Sequence, residues 1–362
     1  MNEIPIHTTQ QWFSLEAKRL KTFAPIYLDL LLKQKGLDIK DFHIRTMNTG
    51  ETSACFLLVH PERPSIIKLK NTGVFAEAET LSIWSSQGVQ VPKVLDVGVI
   101  DKICNNQTEV QFLQLEAICN QDGEIAPLGY EFIDTNVMYA PEVGQQMGAQ
   151  LAKMHRAPTI RGFGRFADIP GPVYSFWATY LANYLEEYQD YLFSKDITEP
   201  QLQSISNSLP SIDFSNMGSY IHGDFGIHNI LVHGKQNPRV YIIDPDPQIG
   251  DPYVDVALIM FRLQISKLMY DLKPNNTEVG FQHIKFTNCY RSLLDSYFSI
   301  TSDQYDPKRC AVHRITALLP KIVNREKKLD SWIRNNYGDV ESHQAEVLAY
   351  KLFLQNAVEE LL

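Results

Sequence analysis

The chain has 362 residues, of which 44 % are hydrophobic and 21 % are charged, and its formal net charge is −9. This composition is typical of a globular protein with enough chain for one large or two modest domains. The negative charge argues against a general nucleic-acid binder, which would be basic.

The cysteines and the apolar segments bear on the compartment. An odd number of cysteines without a Cys-x-x-Cys pair favours free thiols in a reducing compartment over disulfides or a zinc site. No apolar run approaches the roughly 18 residues of a membrane-spanning helix, and residues 1–11 lack the apolar core of a signal peptide. We therefore expect a cytoplasmic protein with neither a membrane nor a nucleic-acid partner. The cysteines are Cys55, Cys104, Cys119, Cys289 and Cys310.

The first predicted element is a helix over residues 12–36, where apolar residues recur mostly at helical spacing. Pro25 is expected to kink this helix or to split it in two, because proline removes a backbone donor and clashes with the preceding turn. Gly36 is expected at its C-terminal cap.

A β-meander is predicted next, with strands at residues 42–45, 54–59 and 65–70. The segment 47–53 contains a single glycine, so its residues favour a plain hairpin turn about as much as a loop that cradles phosphate. Lys68 follows two apolar β-branched residues, as the nucleotide-binding lysine of the V-A-I-K motif follows apolar residues.

The pattern changes from strands to helices at about residue 120. Before it, a helix with apolar residues from Phe75 to Trp84 precedes two further strands, at residues 89–98 and 110–118. After it, helical periodicity dominates. The predicted helices are 141–156, 174–193, 199–209, 255–270 and several from 281 onward.

The most informative motif is a His-Gly-Asp sequence followed, after four residues, by Asn. It places Asp224 in a turn after an apolar strand, and Asn229 just before a second apolar run. A carboxylate on such a turn can accept the proton of a substrate hydroxyl, and an amide can bind a metal without adding charge. This spacing predicts that Asp224 is the catalytic base of a phosphoryl-transfer enzyme.

A predicted hairpin completes the site. The chain turns through residues 233–238 and returns as a strand that ends at Asp244. This turn would bring Asp244 beside Asn229, so that two oxygen ligands meet on a hard cation, Mg²⁺. A turn rich in Asp, Gly and Asn is the simpler alternative, but it does not require the flanking strands.

Gly223 stands where protein kinases carry an arginine that can pair with a phosphorylated loop, and little chain separates Asp244 from the next helix. Regulation by loop phosphorylation is therefore not expected. The pattern favours a kinase that acts on small molecules.

Residues 222–257, which end in Gly250-Asp251-Pro252-Tyr253-Val254-Asp255, resemble the aminoglycoside phosphotransferase and choline kinase family. The chain departs from this family at Pro245 and Asp246, where many members carry an aromatic residue. The resemblance implies a bilobal α+β protein-kinase-like fold. A β-rich nucleotide-binding lobe with an N-terminal helix would occupy residues 1–118, and a helical lobe with the catalytic loop and substrate site would occupy 119–362.

The resemblance also implies a nucleotide site for ATP or GTP. It favours the phosphate-loop interpretation of segment 47–53, and it pairs Lys68 with Glu77, with Lys70 and Glu79 as a second possibility. Backbone groups of Glu116 and Ile118 would bind adenine at the hinge between the lobes. The expected phosphate-loop residues are Asn48, Gly50, Thr52 and Ser53.

Supporting roles are expected around the catalytic loop. His222 would brace the loop, Asp251 would accept its amide hydrogens and cap the next helix, and Asp255 would support the start of that helix. His228 and His233 are expected to be surface or loop histidines.

The residues leave the substrate open among antibiotics, amino-alcohols and sugar derivatives, and they do not indicate the oligomeric state. Two other classes fit in part. A His-x-Asp Fe(II) oxygenase would use His222 and Asp224 but leaves Asn229 and Asp244 unexplained. A catalytically silent pseudokinase is disfavoured by the complete set of Lys68, Asp224, Asn229 and Asp244.

Overall fold

The computed structural model describes residues 6–47, 53–59, 64–100, 109–120, 123–156, 158–159, 162–165, 174–187, 199–214, 218–272, 277–335 and 340–362. The chain divides into two compact units. The first lies within Met1–Ala126, and the second lies within Pro127–Arg165 and Gly171–Leu362.

The first unit is built on a five-stranded antiparallel sheet in the order β1-β2-β3-β5-β4. The second and third predicted strands are confirmed at the predicted residues. The strands are β1 His43–Thr46, β2 Ala54–Val59, β3 Ser65–Lys70, β4 Val94–Ile100 and β5 Val110–Glu116.

Two helices accompany this sheet, α1 Ile6–Gln34 and α2 Val74–Ser86. Helix α1 is continuous through Pro25, so the split considered from the sequence does not occur. Apolar residues on both sides of the proline, from Leu20 to Leu32, lie in one buried cluster with the sheet. We attribute the continuity of the helix to this packing, which offsets the backbone hydrogen bond that proline cannot donate.

The second unit is mainly helical, as the periodicity predicts. Its helices are α3 Gly129–Thr135, α4 Ala140–His155, α5 Trp177–Glu187, α6 Glu199–Ser208, α7 Tyr253–Leu272, α8 Thr277–Thr301, α9 Pro307–Asn335 and α10 Val340–Leu361. A buried apolar cluster joins residues of α5, α6, α7, α9 and α10. No helix in the described residues is long and apolar enough to cross a membrane.

Short strands in the second unit flank the segments that contain Asp224, Asn229 and Asp244. A four-stranded antiparallel sheet has the order β6-β8-β11-β7, and a separate hairpin pairs β9 with β10. The strands are β6 Pro158–Thr159, β7 Gly164–Arg165, β8 Gly218–Ile221, β9 Ile230–His233, β10 Arg239–Ile242 and β11 Gln248–Gly250. The predicted hairpin is therefore confirmed, with Ile242 opposite Ile230.

Candidate active site

The catalytic loop leaves β8 and turns sharply at Gly223. This residue has a φ of +76°, and a Cβ built on it would lie 2.2 Å from the carbonyl oxygen of Asp246. A side chain would be strained by this backbone conformation and would collide with the neighbouring chain. The glycine noted in the sequence is thus required by the backbone of the loop.

Asp224 lies among donors on its own loop and on two helices. Its Oδ1 accepts a hydrogen bond from Nη2 of Arg262 at 2.7 Å, and Nζ of Lys321 lies 3.8 Å from the same oxygen. Its Oδ2 accepts from Nε2 of His228 at 3.2 Å and from Nδ2 of Asn229 at 3.1 Å. The side chain is nevertheless 39 % exposed, so a ligand can reach the carboxylate.

These neighbours keep Asp224 ionised. Burial alone would raise the pKa of Asp224, but the hydrogen bond from His228 and the positive charges of Arg262 and Lys321 outweigh it. The pKa of the carboxyl therefore falls well below its usual range. A carboxylate that is ionised at every physiological pH can accept a hydrogen bond from a substrate hydroxyl.

His228 is neutral in this arrangement, because burial lowers its pKa and the charge of Arg262 adds to this effect against the opposing influence of Asp224. Its Nε2–H donates to Asp224, and its Nδ1 accepts from Nη1 of Arg262. His228, expected from the sequence to be a surface or loop histidine, is thus half-buried and contacts Asp224 directly.

The two predicted metal ligands occupy neighbouring positions on the hairpin. The N–H of Ile243 donates to the carbonyl oxygen of Asn229 at 3.0 Å, and Asp244 is the next residue. Asp244 is exposed and has a φ of +56°, so the backbone adopts the left-handed conformation two residues after β10 ends. Asn229 gives its Nδ2 to the backbone and side chain of Asp224, and its amide oxygen is the atom suited to a cation.

Asp255 on α7 holds the backbone of the catalytic loop. Its fully buried carboxylate accepts the N–H of His222 at 2.8 Å and that of Gly223 at 2.9 Å. The Nε2 of His155 lies 3.1 Å from the same carboxylate, and the other ring nitrogen of His155 is 2.9 Å from the hydroxyl of Tyr297. The loop is therefore anchored through a buried polar network.

The role predicted for Asp251 in holding the loop amides thus belongs to Asp255. Asp251 accepts the N–H of Tyr253 at 2.8 Å, which confirms that it caps α7. It also accepts from Nε of Arg309 at 2.8 Å, so that it ties the start of α7 to α9.

His222 braces the loop from inside, as predicted. Its Nε2–H donates to the carbonyl oxygen of Ile243 at 3.0 Å, and its Nδ1 accepts the N–H of Asp224 at 3.3 Å. Both ring nitrogens are used in this way. None is left to bind iron, as the oxygenase alternative would require.

The ion pair predicted in the first unit is present. Nζ of Lys68 lies 2.8 and 2.9 Å from the two carboxylate oxygens of Glu77, and both side chains are buried. Nζ of Lys70 also lies 3.2 Å from Glu77. Glu77 therefore receives both lysines, in place of the second pairing considered between Lys70 and Glu79.

The expected adenine-binding residues lie at the end of β5 and just beyond it. The N–H of Glu116 donates to the carbonyl oxygen of Lys93, and the carbonyl oxygen of Ile118 accepts from the N–H of Ala126. Of the four expected phosphate-loop residues, only Ser53 is described, and it is buried directly before β2. Asn48, Gly50 and Thr52 lie outside the described residues.

Sequence reasoning missed Arg262 and Lys321. Arg262 follows Asp255 by seven residues, which places both side chains on one face of α7, towards the catalytic loop. That spacing could have identified Arg262 once Asp255 was assigned to the loop. Lys321 lies on α9, and its proximity to Asp224 arises from helix packing that no local pattern encodes.

The comparison with protein families decides what kind of enzyme this site serves. The model of the phosphotransferase enzyme family (APH) matches residues 43–269, which is more than half of the chain. The chain belongs to this family. It is accordingly a small-molecule phosphotransferase, and the resemblance noted in residues 222–257 is confirmed.

Solved structures of aminoglycoside phosphotransferases have the same fold as this chain. A thermostable variant of aminoglycoside phosphotransferase APH(4)-Ia, in a ternary complex with ADP and hygromycin B, is 16 % identical, with a TM-score of 0.58 over 89 % of this chain and 97 % of that chain. Spectinomycin phosphotransferase APH(9)-Ia, in complex with ADP and spectinomycin, is 13 % identical, with a TM-score of 0.51 over 92 % and 98 %. The comparison with curated proteins found no match. The structural likeness confirms the bilobal α+β kinase-like fold class.

Proposed function

We propose that this phosphotransferase moves the γ-phosphate of ATP or GTP to a hydroxyl of a small molecule, with Asp224 as the base. The observation that carries the proposal is the ionised, partly exposed carboxylate of Asp224, which Arg262 and Asn229 hold in one orientation. Similar solved structures of APH(4)-Ia hold hygromycin B together with ADP or AMP-PNP, which supports a nucleotide as the phosphate donor.

In the proposed reaction, the acceptor hydroxyl donates a hydrogen bond to Asp224 and its oxygen attacks the γ-phosphorus in line. The bond from the γ-phosphorus to the β–γ bridging oxygen breaks, and the nucleoside diphosphate leaves. The low pKa of Asp224 makes it a weak base towards a free alcohol. It therefore orients the hydroxyl first and takes the proton as the new bond to phosphorus forms, which fits a loose transition state.

Mg²⁺ is the metal that the donor set at the hairpin fits. The amide oxygen of Asn229, just before β9, and the carboxylate of Asp244, just after β10, would supply two oxygen ligands, and phosphate oxygens and water would complete the coordination. A magnesium ion bound there would neutralise charge on the phosphoryl group in transfer.

We assign the nucleotide to residues of the first unit. Lys68, held by Glu77, would bind the phosphates, and the loop of Asn48, Gly50, Thr52 and Ser53 would cover them. Backbone groups of Glu116 and Ile118, which lie at the end of β5 and just beyond it, would bind the base.

A coupled assay of ADP and GDP release with Mg²⁺ tests the proposal. The acceptor panel holds aminoglycosides, other hydroxylated antibiotics, choline, ethanolamine, sugars and sugar acids. We expect acceptor-dependent release that Asp224→Asn lowers by at least a hundredfold, since a positioned base contributes about 10²–10⁴-fold. Asp213→Asn, a change at an exposed aspartate of the same unit, is the matched control and should keep full activity.

The same assay tests the metal ligands. Asp244→Asn should raise the Mg²⁺ concentration needed for half-maximal release, because one anionic ligand is lost. Equal release by Asp224→Asn and the wild-type chain would remove Asp224 as the base. A metal requirement that Asp244→Asn leaves unchanged would remove Asp244 as a ligand.

A further inference from the structure

Two cationic side chains from two helices lie next to Asp224. Arg262 on α7 and Lys321 on α9 approach the same oxygen of Asp224, at 2.7 and 3.8 Å. Arg325 follows Lys321 by one helical turn, and its guanidinium lies 3.2 Å from Glu346 on α10. An acceptor hydroxyl that reaches Asp224 must therefore also come close to Arg262 and Lys321.

This arrangement has an electrostatic cost. Like charges four residues apart on a helix destabilise it, and Lys321 and Arg325 have that spacing. Burial lowers the pKa of Lys321, and the charges of Arg262 and Arg325 oppose the influence of Asp224 and Asp246. In the described part of the chain, the ion-pair partner of Lys321 is Asp224, at a distance too long for a hydrogen bond. Asp224 is already engaged by Arg262.

The loop itself leaves room for the arginine. A Cβ built on Gly226 would lie 2.4 Å from Nη1 of Arg262 and 2.8 Å from its Cζ. The guanidinium therefore occupies the space that any side chain at position 226 would need. The position of Arg262 beside Asp224 therefore depends both on α7, which carries the arginine, and on the absence of a side chain at Gly226.

We propose that Arg262 and Lys321 form an anion subsite beside Asp224, and that the acceptor carries a carboxylate or phosphate group close to the hydroxyl that receives the phosphoryl group. This inference rests on the proposed function and names its substrate class. An acceptor with an amino group in that place would be repelled by both cations. A carboxylate there would be attracted by both cations.

Matched acceptors test the inference, because they differ only in the charge of one group. The three-carbon set is glycerate, glycerol and 3-amino-1,2-propanediol, and the six-carbon set is gluconate, sorbitol and glucamine. Binding is measured by calorimetry on the full chain, and transfer is measured as Mg²⁺-dependent ADP release. We expect the anionic member of at least one set to bind most tightly.

Variants of Lys321 separate the subsite from general electrostatics. Lys321→Gln should weaken binding of the anion by about tenfold, and Lys321→Glu should reverse the preference towards the amine. Lys327→Gln, a change at an exposed lysine of the same helix, should leave both unchanged. The inference is overturned if the amine binds the wild-type chain best, if no anion binds at millimolar concentration, or if Lys321→Gln and Lys327→Gln behave alike.

The two proposals fail in different ways. Anion binding that depends on Lys321, without any phosphoryl transfer from ATP or GTP, would support the subsite and count against the proposed function. Transfer that is fastest to neutral or cationic acceptors would support the function and remove the subsite.

Discussion

Replacing Asp255 by Asn would test whether this carboxylate fixes the catalytic loop. Its Oδ2 accepts the N–H of His222 and lies 3.1 Å from Nε2 of His155, and its Oδ1 accepts the N–H of Gly223. The amide oxygen of Asn can replace only one of these acceptors. If it takes the place of Oδ2, the new NH₂ group faces the N–H of Gly223, so that two donors meet in a fully buried site.

The magnitude follows from these contacts. A hydrogen bond to a charged group contributes about 1.5–3 kcal/mol, and a buried donor left unsatisfied costs about 1–3 kcal/mol. Losing one bond and weakening the two others gives a destabilisation of about 3 kcal/mol for Asp255→Asn. For a unit of this size, that corresponds to a fall in Tm of about 6–12 °C.

The assay combines thermal unfolding with acceptor-dependent ADP release at a temperature where the variant stays folded. We expect the lower Tm together with at least a tenfold fall in kcat, because the loop that carries Asp224 loses an anchor. Asp295→Asn, at an exposed aspartate of α8, is the control. A Tm within about 1 °C of the wild-type value would refute the reasoning, since the buried carboxylate would then contribute nothing to the fold.

Three further changes are expected to have measurable effects. Gly226→Ala should lower kcat by at least tenfold with little loss of Tm, because a Cβ at this position would lie 2.4 Å from Nη1 of Arg262 and displace the guanidinium. An unchanged kcat would show that activity does not depend on the position of Arg262. Lys68→Met should lower Tm and abolish nucleotide-induced stabilisation, because the buried Glu77 would keep only the more distant Lys70 as a partner. The double variant Lys68→Met with Glu77→Gln should recover Tm but not activity. Because the pKa of Asp224 is lowered, kcat/KM should stay constant as the pH falls towards the usual carboxyl range. Arg262→Gln removes a charge that lowers this pKa, so it should move the acidic limb of the pH profile of kcat/KM to higher pH. A limb that does not move would argue against Asp224 as the titrating group.

The pKa of Asp224 is lower in the folded chain than in the unfolded chain, so ionisation of Asp224 stabilises the fold. Its ion pairs contribute fully above the pKa of the unfolded chain, and the contribution is lost as the pH falls through the lower pKa of the folded state. The pH range over which this stabilisation is lost therefore lies below the usual carboxyl pKa. Any loss of stability between pH 5 and 8 must come from other groups.

Much of the fold could be predicted because local patterns decide it. Strands β2 and β3 are apolar runs separated by a sequence with two prolines, and a sequence that contains Gly234, Asn237 and Pro238 joins β9 to β10, so these elements follow from residues near each other in sequence. The continuity of α1 through Pro25 could not be predicted in this way. It depends on the packing of leucines against a sheet formed by later residues.

The ion pair of Lys68 shows where spacing is sufficient. Lys68 and Lys70 are two residues apart on a strand, so both side chains lie on one face of the sheet, and both reach Glu77. Glu77 and Glu79 are two residues apart on a helix, which points them in different directions. Spacing alone therefore predicts that one glutamate serves both lysines, and the family resemblance identifies that glutamate as Glu77.

The loop amides show the limit of such prediction, because the sequence assigns them to Asp251 but Asp255 holds them. Both aspartates stand near the start of α7, and either could accept amide hydrogens. Which one reaches His222 depends on the angle at which α7 meets β8, and that angle is set by long-range packing. The same holds for Lys321, whose place beside Asp224 depends on the contact of α9 with α7.

Helix α7 positions the backbone and the side chain of the catalytic aspartate together. Asp255 holds the amides before Asp224, and Arg262 holds its carboxylate, about 10 Å further along the same helix. A shift of the helix axis would therefore move both anchors in concert and keep the orientation of Asp224 relative to its own loop. The proposed anion subsite gains the same rigidity, since Arg262 belongs to it. A lysine in place of Arg262 could keep the charge but not the fork of donors that contacts both Asp224 and His228, so the orientation of the base would be lost before its ionisation.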